Sequence, residues 1–210
     1  MKFHISFDSL DIDQNLRIAE LVVEYADVFE IGSLPLFKHG TAIVEAFREK
    51  FPKKTIFADT KIIDRGRDVA SLYSQAGADF ISVMAGTTRE VIHGACSKAH
   101  DLGKKVILDL IDAGSPGQEA MEAKSLGVDA LLFHQSYEQG ESLSFLEKWE
   151  MIRGNSDLPI FVSAKINRQT IDTILKIKPD GIVIGRAISQ SDDPANEAQF
   201  FYDKIKNKVS

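Results

Sequence analysis

The chain is poor in cysteine, in long apolar runs and in clustered positive charge, and each lack removes a class of protein. Its 210 residues include one cysteine, Cys96, which excludes an intrachain disulfide and a Cys-rich zinc site. Cys96 falls in a stretch with helical spacing, 92–99, and is read as a packing residue. No run of 18 apolar residues occurs, so no membrane-spanning helix is expected. The N-terminus, Met1-Lys2-Phe3-His4-Ile5, enters a strand pattern without an apolar signal core or cleavage site, and the expected compartment is the cytoplasm. A formal net charge of -6, with no concentration of Lys and Arg, argues against a nucleic-acid surface, so any phosphate must be met locally. Neither G-x-G-x-x-G nor G-x-x-x-x-G-K-[ST] is present, which removes the usual signatures of dinucleotide and nucleoside triphosphate binding.

What remains is an ordinary globular balance, 44% hydrophobic and 27% charged residues, with a repeated rhythm. Short apolar runs at 3–8, 27–31, 55–59, 79–84, 105–109, 129–134, 160–163 and 180–184 read as strands covered on both faces. Amphipathic stretches at 15–25, 41–50, 68–76, 89–102, 117–125, 143–153, 168–177 and 194–206 read as helices between and after them. In the first helix Leu16, Ala19, Val22 and Val23 share one face. Three units close alike, at Gly77, Gly127 and the segment Lys178-Pro179-Asp180-Gly181, where glycine is expected to supply a left-handed cap. Eight βα units without a Gly/Ser linker predict a (β/α)8 TIM barrel over residues 1–210 as a single domain. The rival is a doubly wound open sheet, which lacks its glycine fingerprint here.

Polar residues gather where these strands end: Asp8, Glu30, Asp59 with Lys61 and Asp64 close behind, Asp109 and His134. In a (β/α)8 barrel the carboxyl ends of the strands converge on one mouth, where active sites of this fold sit. Carboxylates crowded there would take up protons unless a cation balanced them. A hard divalent ion is implied, and Glu30 with Asp59 is the pair that suits Mg2+, which takes one or two carboxylates and completes its shell with water and substrate oxygens. His134 is read as a general acid/base. The loops after the last two strands are the usual phosphate site of this fold, which places Gly185 and Arg186 there.

Residues 59–64, Asp59-Thr60-Lys61-Ile62-Ile63-Asp64, form a D-x-K-x-x-D motif that resembles that of the orotidine 5'-phosphate decarboxylase suprafamily. Phe7-Asp8, Phe29-Glu30-Ile31-Gly32, Gly77-Ala78-Asp79, the run 106–111, His134 and the run 184–188 extend the likeness from Phe3 to about Ala198. The whole is similar to the family of 3-hexulose-6-phosphate synthase and 3-keto-L-gulonate-6-phosphate decarboxylase. Glu30 marks this branch, since the orotidine enzyme works without metal and carries lysine there. The resemblance implies that Glu30 and Asp59 hold Mg2+, that Lys61 stabilises an enediolate, and that Asp64 completes the neighbouring site of an obligate homodimer. For the synthase branch it implies that His134 takes the C1 proton of ribulose 5-phosphate, that the enediolate carbon attacks formaldehyde, and that Asp8 and Asp109 position sugar hydroxyls.

Asp109, where the decarboxylase carries glutamate, and Tyr137, where it carries arginine, favour the synthase, whereas Ser136 matches the decarboxylase pattern. After the seventh strand the family's glycine pair is replaced within Val162-Ser163-Ala164-Lys165-Ile166-Asn167, where Lys165 is expected to compensate as a point charge on the phosphate. His39 before Gly40, Arg65-Gly66-Arg67 and Met84-Ala85-Gly86 also depart from the family pattern. Three readings follow: an aldolase that joins formaldehyde to a phosphorylated ketose, a decarboxylase of 3-keto-L-gulonate 6-phosphate, and a silent sugar-phosphate binding protein in which Lys61 turns away from Asp59.

Overall fold

The computed structural model of the chain describes residues 1–135 and 145–207; Ser136 and Tyr137, which bear on the choice between the two family branches, lie outside the described residues. Eight strands, β1 (Lys2–Phe7), β2 (Val28–Ile31), β3 (Thr55–Ile62), β4 (Phe80–Met84), β5 (Lys105–Asp109), β6 (Ala130–His134), β7 (Ile160–Ser163) and β8 (Gly181–Ile184), close into a parallel barrel in chain order. The closure is made by β8 against β1, with Phe3 opposite Ile182 and Ile5 opposite Ile184. Helices α1 (Ile12–Val22), α2 (Ser33–His39), α3 (Ala42–Lys50), α4 (Gly66–Gln75), α5 (Arg89–Asp101), α6 (Pro116–Ala123), α7 (Phe145–Arg153), α8 (Ile171–Lys176), α9 (Arg186–Ser189) and α10 (Pro194–Asn207) connect and follow the strands. Among the described residues no helix is long and apolar enough to cross a membrane.

Local chemistry explains the element ends. The Asp11 carboxylate accepts from the Gln14 backbone N–H at 3.0 Å and starts α1 three residues before the predicted start, because a cap outweighs the apolar pattern at a helix end. The buried face of α1 is Asn15, Ile18, Ala19 and Val22, with Leu16 half-buried at its margin. Gly77 (φ 107°) and Gly127 (φ 94°) turn left-handed as predicted. The third unit differs: Lys178 takes the positive φ, 52°, and Gly181 opens β8, where a Cβ would lie 2.7 Å from the Phe161 ring. Two short helices, α2 and α9, were not legible in the pattern because seven and four residues are too few to display a helical period.

Four aspartates tie the amino ends of the strands together in pairs. Asp27, Asp79, Asp129 and Asp180 accept from the backbone N–H of Phe3, Ile56, Val106 and Ile160, at 2.8, 3.0, 2.8 and 2.8 Å. Each also meets a basic side chain: Lys206, Arg48 with Lys104, His100 and Arg153, respectively. Partnered in this way, a charge at the bottom of the barrel closes each pair of strands.

Two apolar layers flank the sheet. Phe3, Ile5, Phe7, Phe29 and Ile31 point outward toward the helices. Val28, Phe57, Ile107, Leu132, Phe161 and Val183 fill the barrel itself. Side chains alternate along a strand, so the residues two places farther along face the same interior. Those residues are Glu30, Asp59, Asp109, His134, Ser163 and Gly185. The period of two therefore stacks a polar floor directly on an apolar plug, at the carboxyl end of the sheet.

His4 belongs to this interior but to its lower end, with its ring 4.6 Å from that of Phe161 and neither nitrogen hydrogen-bonded among the described residues. Burial, set against the charge of Asp27, lowers its pKa from 6.5 to about 3. Between those values the unfolded chain takes up a proton that the folded chain refuses, so the contribution is intact above pH 6.5 and is lost as pH falls, by roughly 1.4 kcal/mol per unit. His4→Leu is expected to flatten the loss of stability between pH 6 and 4, measured by urea unfolding. Wild type and variant falling in parallel would reject this. Cys96 is buried, and burial pushes its thiol up to about 12, which leaves it a packing residue without a thiolate at neutral pH.

Candidate functional site

The site is a cavity of about 180 Å3 over the polar floor, lined in part by Asp8, Glu30, Asp59, Lys61, His134 and Arg186. A roomier cleft of about 310 Å3 lies against α5 and α6, and none of the polar strand-end residues lines it. Sequence reasoning ended the third strand at Asp59, but β3 runs on to Ile62 through an irregularity. Ala58 stands opposite Ile81 and Ile62 opposite Val83, so residues 59–61 face Ser82 alone. Lys61 takes φ 45° there, a left-handed conformation that a side-chain-bearing residue holds only when its surroundings impose it.

That backbone turn aims the Lys61 ammonium at two carboxylates. Nζ lies 2.6 Å from Asp109 Oδ2 and 3.1 Å from Asp59 Oδ2. Burial lowers the affinity of Lys61 for its proton, but Asp59 and Asp109 outweigh it and hold the ammonium above its ordinary range. Asp109 is fully buried; its Oδ1 accepts from the Ile111 N–H at 3.0 Å, and its Oδ2 also meets His134 Nδ1 at 3.0 Å. Burial alone would raise Asp109, and the His134 and Lys61 contacts reverse it, holding the carboxyl below the usual range. In the neutral tautomer whose Nδ1–H donates to Asp109, Nε2 of His134 is the acceptor of the ring.

Asp59 is held by two hydroxyls, Ser33 to Oδ2 at 2.7 Å and Ser82 to Oδ1 at 2.8 Å. Ser33 is the first residue of α2, so this unpredicted helix brings a donor to the site. Asp8 follows the last residue of β1 and fits against Gly32, where a Cβ would lie 1.9 Å from Asp8 Oδ1. Any larger residue at Gly32 would displace that carboxylate. Burial first and the charge of Asp59 second raise Asp8, against the opposing charge of Arg186.

Glu30 is the least satisfied group of the site. It is 6% exposed, and its buried Oε2 has no hydrogen-bond partner among the described residues. Burial, then the charges of Asp59 and Asp8, raise it well above the usual carboxylate range. A buried acceptor without a donor fits a cation. Among the described residues no group of three or more His, Cys, Asp or Glu side chains forms a ready metal cage. A donor set of two carboxylates completed by water and substrate is the kind that Mg2+ accepts, and Glu30 with Asp59 fits it.

Three predicted site residues lie outside the lining of this cavity: Asp109, fully buried behind Lys61 and His134 and so not open to a sugar hydroxyl, Lys165 and Asp64. Lys165 is exposed because Ala164 lines the cavity and Ile166 is buried, so the position between them faces out. Asp64 is exposed as well, its Oδ1 accepting from the Arg65 N–H at 2.7 Å beside Ile63, which is 67% exposed. Sequence reasoning missed Ser6, Ser33 and Ser82. A lone serine within a strand as apolar as Phe80–Met84 was the available signal, since a hydroxyl in such a place must have a partner. Lys61 faces Asp59, and the turned-away lysine expected of a silent binding protein is not what the geometry presents.

Residues 1–201 match the family described as Orotidine 5'-phosphate decarboxylase / HUMPS. The 3-hexulose-6-phosphate synthase of Bacillus subtilis (strain 168) is 30% identical over 200 residues, which cover 94% of this chain and 95% of that one. The crystal structure of 3-hexulose-6-phosphate synthase from Salmonella typhimurium superposes with a TM-score of 0.93 at 27% identity, covering 99% of each chain. The crystal structure of KGPDC from Streptococcus mutans shares the fold, with a TM-score of 0.87 at 24% identity over 100% of this chain and 99% of that one. The chain is a (β/α)8 barrel enzyme of the lyase class and belongs to the orotidine 5'-phosphate decarboxylase / HUMPS family.

Proposed function

We propose that the enzyme is an aldolase that condenses formaldehyde with D-ribulose 5-phosphate to give 3-hexulose 6-phosphate, with Mg2+ at Glu30 and Asp59. The observation that supports it best is one buried carboxylate oxygen, Asp109 Oδ2, shared by Lys61 and His134, both of which line the cavity that also holds Glu30 with its unpartnered Oε2. A bound Mg2+ supplies Lewis-acid polarisation of the ketose carbonyl. Arg186 and the Gly185 backbone receive the phosphate at the end of β8. Lys165, which faces out, takes no part in that contact.

His134 Nε2 takes the C1 proton, since Asp109 fixes the ring and favours the imidazolium that results. Charge then spreads over the C1 and C2 oxygens, and the Lys61 ammonium, already in place, stabilises it without reorganisation. The C1 carbon attacks formaldehyde, the new carbon–carbon bond forms, and the proton returns from His134 to the developing alkoxide. Asp8 positions a sugar hydroxyl beside Gly32, and Asp64 with its exposed neighbour Ile63 completes the site of a second copy in a homodimer.

The test is formaldehyde consumption by purified protein with Mg2+ and D-ribulose 5-phosphate. Consumption no greater than that of Glu30→Gln would reject the aldolase. The same residues would stabilise the enediolate left by loss of CO2, the second reading that the fold neighbour KGPDC keeps open. CO2 release from 3-keto-L-gulonate 6-phosphate, compared as kcat/KM, decides between the two.

A further inference from the structure

The irregular stretch of β3 places three residues against one, and every one of the three bonds to it. Ser82 Oγ donates to Asp59 Oδ1 at 2.8 Å and accepts from the Lys61 backbone N–H at 2.9 Å. Thr60 Oγ1 donates to the Ser82 carbonyl at 2.8 Å and accepts from the Ser82 N–H at 3.2 Å. Side-chain hydroxyls thus replace the ladder bonds that the shift of register removes. Ser82 is fully buried, so water cannot supply these bonds in its place. It lies outside the lining of the cavity, so it acts through its neighbours.

We infer that Ser82, braced by Thr60, is the positioning residue of the reaction: it locks Lys61 in its left-handed turn and orients Asp59, so that ammonium and carboxylate face the substrate together. The inference rests on the proposed roles of Asp59 and Lys61. The geometry carries it because one hydroxyl fixes both: the carboxylate through its oxygen, and the lysine through its backbone at φ 45°. A displacement of about 1 Å in such a group can cost about 10²-fold in rate.

The experiment compares wild type with Ser82→Ala, Ser82→Thr and Thr60→Val, in steady-state kinetics, urea unfolding and crystal structures. Ser82→Ala is expected to lower kcat by about 10²-fold with little change in KM, and to release the Lys61 turn, lengthening its contact with Asp109. Ser82→Thr restores the hydroxyl and with it most of kcat. Thr60→Val keeps the shape, loses the brace, and is expected to fall between Ser82→Ala and wild type. Ser82→Ala retaining kcat, or losing stability with the Lys61 turn unchanged, would overturn the inference. Wild type inactive toward both substrates would reject the proposed function instead, and the Lys61 geometry in the Ser82→Ala crystal would still decide whether Ser82 sets it.

Discussion

Lys61→Met is expected to lower kcat/KM by about 10³-fold and to destabilise the folded chain by about 3 kcal/mol. Both effects have one cause. The ammonium is the counter-charge for Asp109 and Asp59, at 2.6 and 3.1 Å, and Asp109 has no exposed surface from which water could replace it. Removing one partner of a buried pair leaves the other charge uncompensated, which costs roughly 3–5 kcal/mol; the lysine is 21% exposed, which favours the lower figure. The folded ammonium holds its proton more tightly than the unfolded one at 10.5, so this stabilisation is fully present below that pH and is lost only above it. Wild type and Lys61→Met should therefore differ in urea unfolding by the same amount at pH 7 and pH 9. An activity within tenfold of wild type would remove Lys61 from the chemistry.

Glu30→Gln is expected to move activity and stability in opposite directions. The wild-type carboxylate is buried beside Asp59 and Asp8, with Oε2 unpartnered, so without Mg2+ it destabilises the fold that holds it. An amide removes this disfavoured titrating group at nearly constant shape, and the metal-free variant should be more stable by about 1–3 kcal/mol, raising Tm by roughly 2–4 °C for each. The same change removes a ligand of the proposed ion, and activity should fall by about 10³-fold. Mg2+ should raise the Tm of wild type, in proportion to the logarithm of its concentration above Kd, and leave that of the variant unchanged. A variant still stabilised by Mg2+ would place the ion elsewhere. This opposition is the trade expected where a site is arranged for a ligand rather than for the fold.

The strands and the strand-end residues were legible because they depend on short-range periodicity. Apolar runs with turn signals between them recur eight times along the chain, and each run is a strand of the barrel. The residues Asp8, Glu30, Asp59, Lys61, Asp109 and His134 could be singled out because a strand interior that is apolar turns polar only where it leaves the core. Lys165 was misplaced for the complementary reason: its charge was legible, but which way the chain faces after β7 depends on Ile166 finding the core. Asp64 shares a motif with Lys61 but lies on the exterior, beside the turn at Arg65, φ 53°, where only a second copy of the chain could use it.

By itself the amino-acid sequence determined the eightfold alternation, the polar residues at the mouth and the membership of a family, since all three reside in local pattern. Tertiary structure decided the rest: that Ser82 faces residues 59–61, that Lys61 and His134 share one oxygen of Asp109, and that Glu30 keeps an unpartnered one. These contacts join residues 21 to 48 positions apart, through the offset of one strand against the next. Closing a barrel fixes that offset, and no local preference of the chain can state it in advance.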